Sequence, residues 1–307
     1  MRITGTIIIT LAVAVTGCGG AGSDAVSTAE KETTEKLVVA TVNYPLAYFA
    51  KRIGGDLVDV LFPAPPDQDP AYWSPDAEVI ASYQNADVIL LNGAGYAKWV
   101  ARATLPSSRL VDTSAEFADR FIRLEGAITH SHGPEGAHVH AGWASTTWLD
   151  PRQAIEQAAA ASRAMISDRR VYEPIFNERF TALEADLHLL DLQLTAATGS
   201  LGHTPLLFSH PVYQYLIRRY ELNAVEVHWE PDEAPDGEAW TEIEAILMRH
   251  RAQWMVWERQ PLDDTVAGLA ALGVGSVVFD PCGNRPQEGD YLTVMHDNVA
   301  ALESLTR

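Results

Sequence analysis

One helix signal near the middle of the chain constrains the fold more than any other feature. Between residues 171 and 198, large apolar residues recur at steps of 4, 3, 4, 3 and 4 and share one helix face: Phe176, Phe180, Leu183, Leu187, Leu190 and Leu194. An unbroken helix of this length would be about 40 Å long, which is enough to run the height of a two-lobed protein. We therefore predict a linking helix over residues 169–199.

Strand and helix patterns alternate on both sides of this helix. Short apolar runs such as KLVVATVNY, DVILLNG, PLLFSH and QWMVWE are separated by helical patterns, which is typical of parallel sheets covered by helices. The predicted fold class is α/β, with two similar lobes, each a parallel sheet covered by helices, joined by the long helix. We place the N-terminal lobe at 36–168 and the C-terminal lobe at 200–307. Ligands of such sheets bind beyond the carboxyl ends of the strands.

The N-terminal end has the features of an export signal. An apolar run too short to span a bilayer follows Arg2 and ends in Val-Thr-Gly before Cys18. This ending resembles a bacterial lipobox, in which the cysteine carries the lipid; an ordinary signal peptide is the alternative. We predict a lipoprotein signal peptide over 1–17 and a flexible tether over 18–35, since the tether has almost no large apolar residues. The expected location is the cell envelope, outside the cytoplasm, with the lipid anchored on the periplasmic side or at the cell surface.

The net charge limits the molecules that the protein can bind, and the cysteine content limits its disulfides. The net charge of −19 argues against nucleic acid as a partner, and it favours a high local concentration of cations. Apart from Cys18, the chain has one cysteine, Cys282, so the mature body contains no internal disulfide. That thiol is either a soft ligand for a metal or, as is more common for a lone cysteine, a small buried apolar group.

Histidine is concentrated in one short segment. Four of the ten histidines lie within eleven positions: His130, His132, His138 and His140. Because H-x-H pairs bind transition metals, we predict a His-rich loop over 129–143 that captures metal weakly. Two alternatives remain at this point, namely direct participation of His138 or His140 in a metal site and a loop with no metal role.

Several motifs, none specific by itself, occur together in a recognisable order. They are ATVNYPLAYFAKRIGGD, PPDQDPAYWSP, NADVILLNGAGYAKW, the His-rich segment, TWLDP, SHPVYQYLIRRYEL and FDPCG. Over about residues 36–305 this order resembles the metal-specific solute-binding lipoproteins of bacterial ABC importers, the zinc and manganese class (cluster A-I). The resemblance implies two α/β lobes with a metal ion between them and delivery of that ion to an ABC permease.

No catalytic motif such as H-E-x-x-H, G-x-S-x-G or a P-loop is present in the sequence. We therefore expect a binding protein rather than an enzyme, and we expect it to be a monomer.

The resemblance places four metal-ligand positions, and two of them are kept. His210 in SHPVYQY and Asp280 in FDP match the family, whereas Ala71 in DPAYWSP and Thr146 in TTWLDP stand where the family has histidines. Zn²⁺ is the ion that the resemblance implies, with Mn²⁺ or no metal as alternatives, because imidazole and carboxylate ligands suit both ions.

Nearby residues could replace the two missing ligands. Glu258 follows a predicted strand, although an ion pair with Arg259 would explain it equally well. Asp69 lies in the first cleft loop, where forming a turn is the more common role of an aspartate. His138 or His140 could fold back into the cleft, and Trp73 could fill the space of a lost histidine. The alternative function is that of a divergent family member that has lost the cleft metal site and binds another solute or a protein partner.

Overall fold

The structure is a computed structural model that describes residues 35–132 and 136–306, with the backbone alone for 125–132 and 136–141. Residues Lys36–Arg307 form one compact unit. The predicted signal peptide, nearly all of the predicted tether and Cys18 lie outside the described residues. In the part of the chain that is described, no helix combines the length and apolar character needed to cross a bilayer.

The N-terminal sheet has four parallel strands in the order β2-β1-β3-β4. The strands are β1 (Leu37–Thr41), β2 (Val58–Leu61), β3 (Val88–Leu91) and β4 (Leu110–Asp112). Two helices connect them, α1 (Tyr44–Gly54) and α2 (Ala77–Asn85). Helix α1 begins where Asn43 accepts a hydrogen bond from the Leu46 N–H and ends before Gly55, which has a φ of 57°. This positive φ favours glycine, and an added Cβ, 2.4 Å from Arg179 Nη1, would also displace that side chain.

The backbone of the His-rich segment forms two paired strands. Strands β5 (Arg123–His132) and β6 (Gly136–Trp143) run antiparallel, and His130 lies opposite His138 in the register. The two arms satisfy each other's backbone hydrogen bonds as a hairpin.

The long helix lies where its apolar spacing predicts it. After helix α3 (Pro151–Asp168), helix α4 runs over Glu173–Leu201, which is 29 residues and about 44 Å. Five of the six residues of the predicted stripe are buried, and the sixth, Phe180, is partly buried against the core. It begins later than predicted because residues Arg170–Tyr172 form a 3₁₀ turn first.

The C-terminal sheet repeats the strand order of the N-terminal sheet. Its parallel strands are arranged β8-β7-β9-β10, so in each sheet the order is second, first, third, fourth. The strands are β7 (Leu206–Phe208), β8 (Ala224–Glu226), β9 (Trp254–Trp257) and β10 (Gly275–Val278), and the helices are α5 (Gln214–Tyr220), α6 (Gly237–His250), α7 (Asp263–Ala271) and α8 (Tyr291–Ser304). The predicted α/β class with two similar sheets and one long helix is confirmed.

The last helix returns to the N-terminal half of the chain. Tyr291 at the start of α8 packs against Tyr48 and Phe49 of α1, with ring centroids 5.5 Å and 5.4 Å apart. One large apolar core therefore includes residues of both halves. This shared core fixes the two sheets around the space between their carboxyl ends.

Candidate metal site

A cavity of about 780 Å³ lies where the carboxyl ends of the strands of both sheets meet. Its lining includes Asp69, Tyr72, Lys98, Arg259 and Asn284. In open parallel sheets the binding crevice forms where the strand order reverses. In the C-terminal sheet this reversal lies between β7 and β9, whose following residues line the cavity.

His210 is held in the turn between β7 and α5. The Ser209 N–H donates to the Val256 carbonyl at 2.9 Å, and the Val212 N–H donates to the His210 carbonyl at the same distance. The His210 side chain is buried, and its Nδ1 lies 2.8 Å from Glu230 Oε1. His210 lines the cavity, and its role as a metal ligand stays a prediction.

Glu230 reaches the site because β8 stays paired with β7 beyond the strand ends. The Val227 N–H donates to the Phe208 carbonyl at 2.8 Å, and the Trp229 N–H donates to the Ser209 carbonyl at 2.7 Å. These bonds bring Glu230 alongside His210. Glu230 was not among the metal ligands predicted from the sequence. The available signal was its position in HWEPD, immediately after a predicted strand and therefore at the cavity edge of the sheet.

Glu258 follows β9 directly and completes a group of three. One candidate ligand atom each from His210, Glu230 and Glu258 lies within 4.8 Å of the other two. Among the described side chains, this is the group of histidine, cysteine and acidic residues that could hold a metal ion. All three come from consecutive strand ends of one sheet, so the backbone of the sheet sets their spacing.

The charges in this group are strongly coupled. Burial alone would lower the pKa of His210, but the hydrogen bond to Glu230 and the charges of Glu258 and Asp69 outweigh it and raise that pKa. Burial raises the pKa of Glu258 to about 7, with His210 acting in the opposite direction. The metal-free group therefore holds protons near neutral pH, and a bound cation would have to displace them.

The two positions where the family has histidines offer no strong ligand. Ala71 is 9% exposed and has no donor atom. Thr146 is 8% exposed, and its hydroxyl donates to the Val212 carbonyl. Asp69 lines the cavity two residues before Ala71, and its Oδ1 accepts the Ala71 N–H at 2.8 Å. The carboxylate of Asp69 thus closes its own turn while placing a negative charge near the group.

Asp280, the other kept family position, lines the cavity but is not part of the group of three. Its Oδ1 accepts the Cys282 N–H at 2.7 Å, and its backbone is bonded on both sides to Asn298. Burial raises the pKa of Asp280, against the opposing hydrogen bond from Cys282. One oxygen of its carboxylate therefore holds the turn after β10.

Two further residues that the sequence raised lie outside the group. Cys282 is buried at 1% exposure, and burial raises its thiol pKa far above the usual range, which makes it a poor thiolate ligand. Trp73 packs against Trp99 in an edge-on contact with centroids 6.4 Å apart, within a small cluster of apolar residues of the N-terminal half. Tyr72, rather than Trp73, faces the cavity.

The four histidines of the His-rich segment are described by the positions of their backbone atoms. His130, His132, His138 and His140 lie in the paired arms of β5 and β6. Leu124, Gly142 and Trp143 at the base of the hairpin line the cavity. Metal capture by the hairpin and a direct role of His138 or His140 stay predictions.

Comparisons with known proteins agree with this architecture. The family model described as "Zinc-uptake complex component A periplasmic" (ZnuA) matches residues 38–305. The zinc-binding lipoprotein AdcA of Streptococcus pneumoniae serotype 4 is 23% identical over 297 residues, which cover 90% of this chain and 57% of AdcA. This chain thus spans little more than half of that relative. The high-affinity zinc uptake system protein ZnuA of Bacillus subtilis is 23% identical over 289 residues, covering 88% of this chain and 87% of that protein.

Solved structures show the same fold. The crystal structure of the metal-dependent lipoprotein YcdH from Bacillus subtilis superposes with a TM-score of 0.75 at 21% identity, covering 88% of this chain and 98% of YcdH. The Zn(II)-bound AdcA structure from Streptococcus pneumoniae also gives 0.75, at 19% identity, covering 89% of this chain and 58% of AdcA. Because the family match extends over both sheets and the long helix, this chain belongs to the ZnuA family of periplasmic zinc-uptake components.

Proposed function

We propose that this protein is the receptor of an ABC importer, that it captures a zinc ion through His210, Glu230 and Glu258, and that it delivers the ion to a permease. The observation that carries the proposal is the group of three donors, which lie within 4.8 Å of one another in the cavity between the sheets. Asp69 and Asp280 add negative charge at the cavity and hold the loops on which it depends.

The donor types are compatible with zinc. Ligand atoms about 2.0–2.2 Å from a tetrahedral zinc ion are about 3.4 Å apart, so small side-chain rotations would bring the three donors onto one ion. One imidazole with two carboxylates is richer in oxygen than the family pattern of three histidines and one aspartate. Because oxygen ligands also suit Mn²⁺, manganese is the competing ion to test.

The relatives support zinc as the cargo. AdcA and ZnuA are named as zinc-binding and zinc-uptake proteins, and family members are binding components rather than enzymes. In keeping with those names, we propose a location outside the cytoplasm, with a lipid on Cys18 holding the body near the membrane. We also propose that the body works as a monomer and that the two lobes divide at residues 168 and 200 around the linking helix.

One observation favours a second candidate function. Ala71 lacks a donor, and the Thr146 hydroxyl is already committed to Val212. The protein would then be a family member that has lost the cleft metal site and binds another solute or a protein partner. Zinc affinity that does not depend on His210 would favour this candidate.

Zinc titration of metal-stripped protein separates the two candidates. We expect the wild type to bind one zinc ion tightly, as measured by competition with a chromophoric chelator. His210→Ala should lower this affinity by more than about 100-fold, since even residues that only support a ligand contribute about 10–100-fold. His188→Ala, at an exposed position of α4, is the matched control and should bind as the wild type does. Equal affinities of wild type and His210→Ala would refute the proposed site.

A further inference from the structure

The proposed metal donors all lie on one wall of the cavity. His210, Glu230 and Glu258 follow β7, β8 and β9 of the C-terminal sheet. Three protein ligands leave at least one position of a four-coordinate zinc ion open, and a six-coordinate ion has more open positions. Because all three donors approach the ion from the C-terminal wall, its open coordination positions point toward the N-terminal wall.

The N-terminal wall offers aromatic surface where the family has histidine ligands. Ala71 and Thr146 supply no strong donor, whereas Tyr72, Tyr96 and Trp143 line the cavity. Trp143 is 48% exposed, which is unusual for a side chain of this size. Lys98 adds a cation on this side, with its Nζ 4.6 Å from the centre of the Tyr72 ring.

The cavity is too large for an ion alone. A divalent ion with six waters needs on the order of 200 Å³, taking about 30 Å³ for each water. The cavity measures about 780 Å³, and pockets for small organic molecules are about 300–1,000 Å³. The space left over would hold an organic molecule of the size of one or two amino acids.

We propose that the cargo enters this cavity as a chelate, with a small amino-carboxylate or hydroxy-carboxylate molecule supplying the metal ligands that Ala71 and Thr146 do not provide. This inference rests on the proposed function, because the metal is held by His210, Glu230 and Glu258. The organic part lies against the aromatic wall, where its apolar atoms are covered and its free carboxylate lies on the side of Lys98.

The charge of the site makes the metal essential for binding the organic part. Asp69, Glu230 and Glu258 bring three carboxylates to the cavity, and these repel an anionic chelator that carries no cation. A metal ion between the protein and the chelator removes this repulsion. Protein, metal ion and chelator should therefore form a ternary complex. Without the metal ion, the protein should retain no chelator.

Equilibrium dialysis with radiolabelled chelator tests the proposal. The metal-stripped protein is dialysed against zinc alone, L-histidine or citrate alone, and zinc with L-histidine or citrate. We expect L-histidine, citrate or both to be retained in equal amount with zinc, and neither to be retained without it. His210→Ala should retain neither metal nor chelator. Stoichiometric zinc binding with no retention of either molecule would overturn the chelate proposal and leave the zinc site standing. Absence of zinc binding under every condition would overturn the proposed function as well.

Substitutions that restore the family's histidine ligands provide a second test of the chelate proposal. Ala71→His and Thr146→His return imidazole donors to the N-terminal wall, so the protein would fill the positions that the chelator fills in the wild type. We expect either variant to retain at least about 10-fold less chelator per bound zinc, since a competing ligand of ordinary strength changes occupancy by that factor. Each variant's fold is checked by its thermal transition, and Thr146→His serves if the buried Ala71 position does not accept the larger side chain. Unchanged chelator retention in a folded variant would contradict the assignment of the organic part to this wall.

Discussion

At the scale of single residues, the metal group is a set of proton sites as well as ligands. Burial raises the pKa of Glu258 to about 7, and the hydrogen bond to Glu230 with the surrounding carboxylates keeps the pKa of His210 above its ordinary value despite burial. Both side chains bind a metal only when deprotonated. Protons and the metal ion therefore compete for the same atoms.

This competition predicts a pH dependence of zinc affinity. As the pH falls from about 8 to about 6, Glu258 and His210 take up protons, so the affinity should fall by about 10-fold or more over this range. Glu258→Gln should bind zinc more weakly and show a shallower slope, because one competing proton is gone. Zinc titrations at several pH values, for the wild type and Glu258→Gln, measure both effects. A wild-type affinity that does not change over this range would contradict the assignment of these ligands.

Residue-level sequence reasoning identified part of this group. His210 and Glu258 could be proposed because each follows an apolar run that predicts a strand, and parallel strand ends meet at one edge. Glu230 was not proposed because the backbone hydrogen bonds that bring it alongside His210, four residues beyond β8, are not visible in the sequence. The use of the Thr146 hydroxyl by the Val212 carbonyl depends on a contact between distant segments, which no local pattern reveals.

At the scale of secondary-structure elements, one carboxylate on α4 ties three helices together. Asp191 accepts hydrogen bonds from Arg219 on α5 at 2.7 and 2.8 Å, from Arg152 on α3 at 3.3 Å and from Tyr220 at 3.0 Å. Asp191 is buried, so its charge is compensated in a place where water does not screen it well. The long helix is thereby linked to an element of each half of the chain.

Removing this carboxylate should be costly. Asp191→Asn removes the closest charge partner of Arg219, which keeps only the longer contact with Asp150 at 3.6 Å. This change should lower the free energy of unfolding by about 3 kcal/mol, as for one partner of a buried pair. The control is Asp186→Asn on the same helix, whose pair with Arg52 is partly exposed and is worth under about 1 kcal/mol. Urea denaturation of the wild type and both variants gives the three values.

The pKa of Asp191 sets the sign of the pH effect. Burial would raise that pKa, but Arg219, Tyr220 and Arg152 outweigh burial and hold it below 3.8. The carboxylate therefore stabilises the fold above the unfolded pKa of 3.8, and this contribution is lost as the pH falls through the lower folded value. The difference between wild type and Asp191→Asn should narrow in strongly acidic solution. A constant difference, or equal losses for Asp191→Asn and Asp186→Asn, would contradict this account.

Helices and strands with a clear apolar pattern could be predicted from the sequence, whereas elements without such a pattern could not. The apolar stripe of α4 and the apolar runs of β1, β3 and β9 define their own structure because the side chains must be buried on one face or on both. The hairpin β5–β6 lacks a large apolar repeat, and its pairing depends on backbone bonds between its arms. Strand β4 was overlooked because it has only three residues.

At the scale of the whole molecule, hydrogen bonds across the cleft frame the cavity. The Trp148 Nε1–H donates to the Pro281 carbonyl at 2.7 Å, and the Asn284 amide donates to the Pro65 and Gln68 carbonyls at 2.6 and 2.7 Å. The Tyr44 N–H donates to the Gly283 carbonyl at 3.0 Å. These bonds connect the loop after β10 to the N-terminal half, so the two walls are positioned before any cargo arrives.

The two-sheet architecture could be predicted from the sequence, whereas the gathering of the metal donors on the C-terminal wall could not. Alternating strands and helices on both sides of α4 predicted two similar sheets with a cleft between them. The sequence placed the lost ligands on the N-terminal wall but gave no reason for three donors to gather on the other. That arrangement depends on the order β8-β7-β9, which places three strand ends side by side.

Zinc affinity of Glu230→Gln tests the central claim most directly, because this residue is a ligand in our account and matches none of the four family positions. The replacement keeps the size and hydrogen-bonding reach of the side chain while removing its charge. Competition with a chromophoric chelator at neutral pH should show a loss of at least about 100-fold relative to the wild type, with Asp280→Asn affected less. Wild-type affinity in Glu230→Gln, together with a large loss in Asp280→Asn, would contradict the claim and return the metal to the family's own positions.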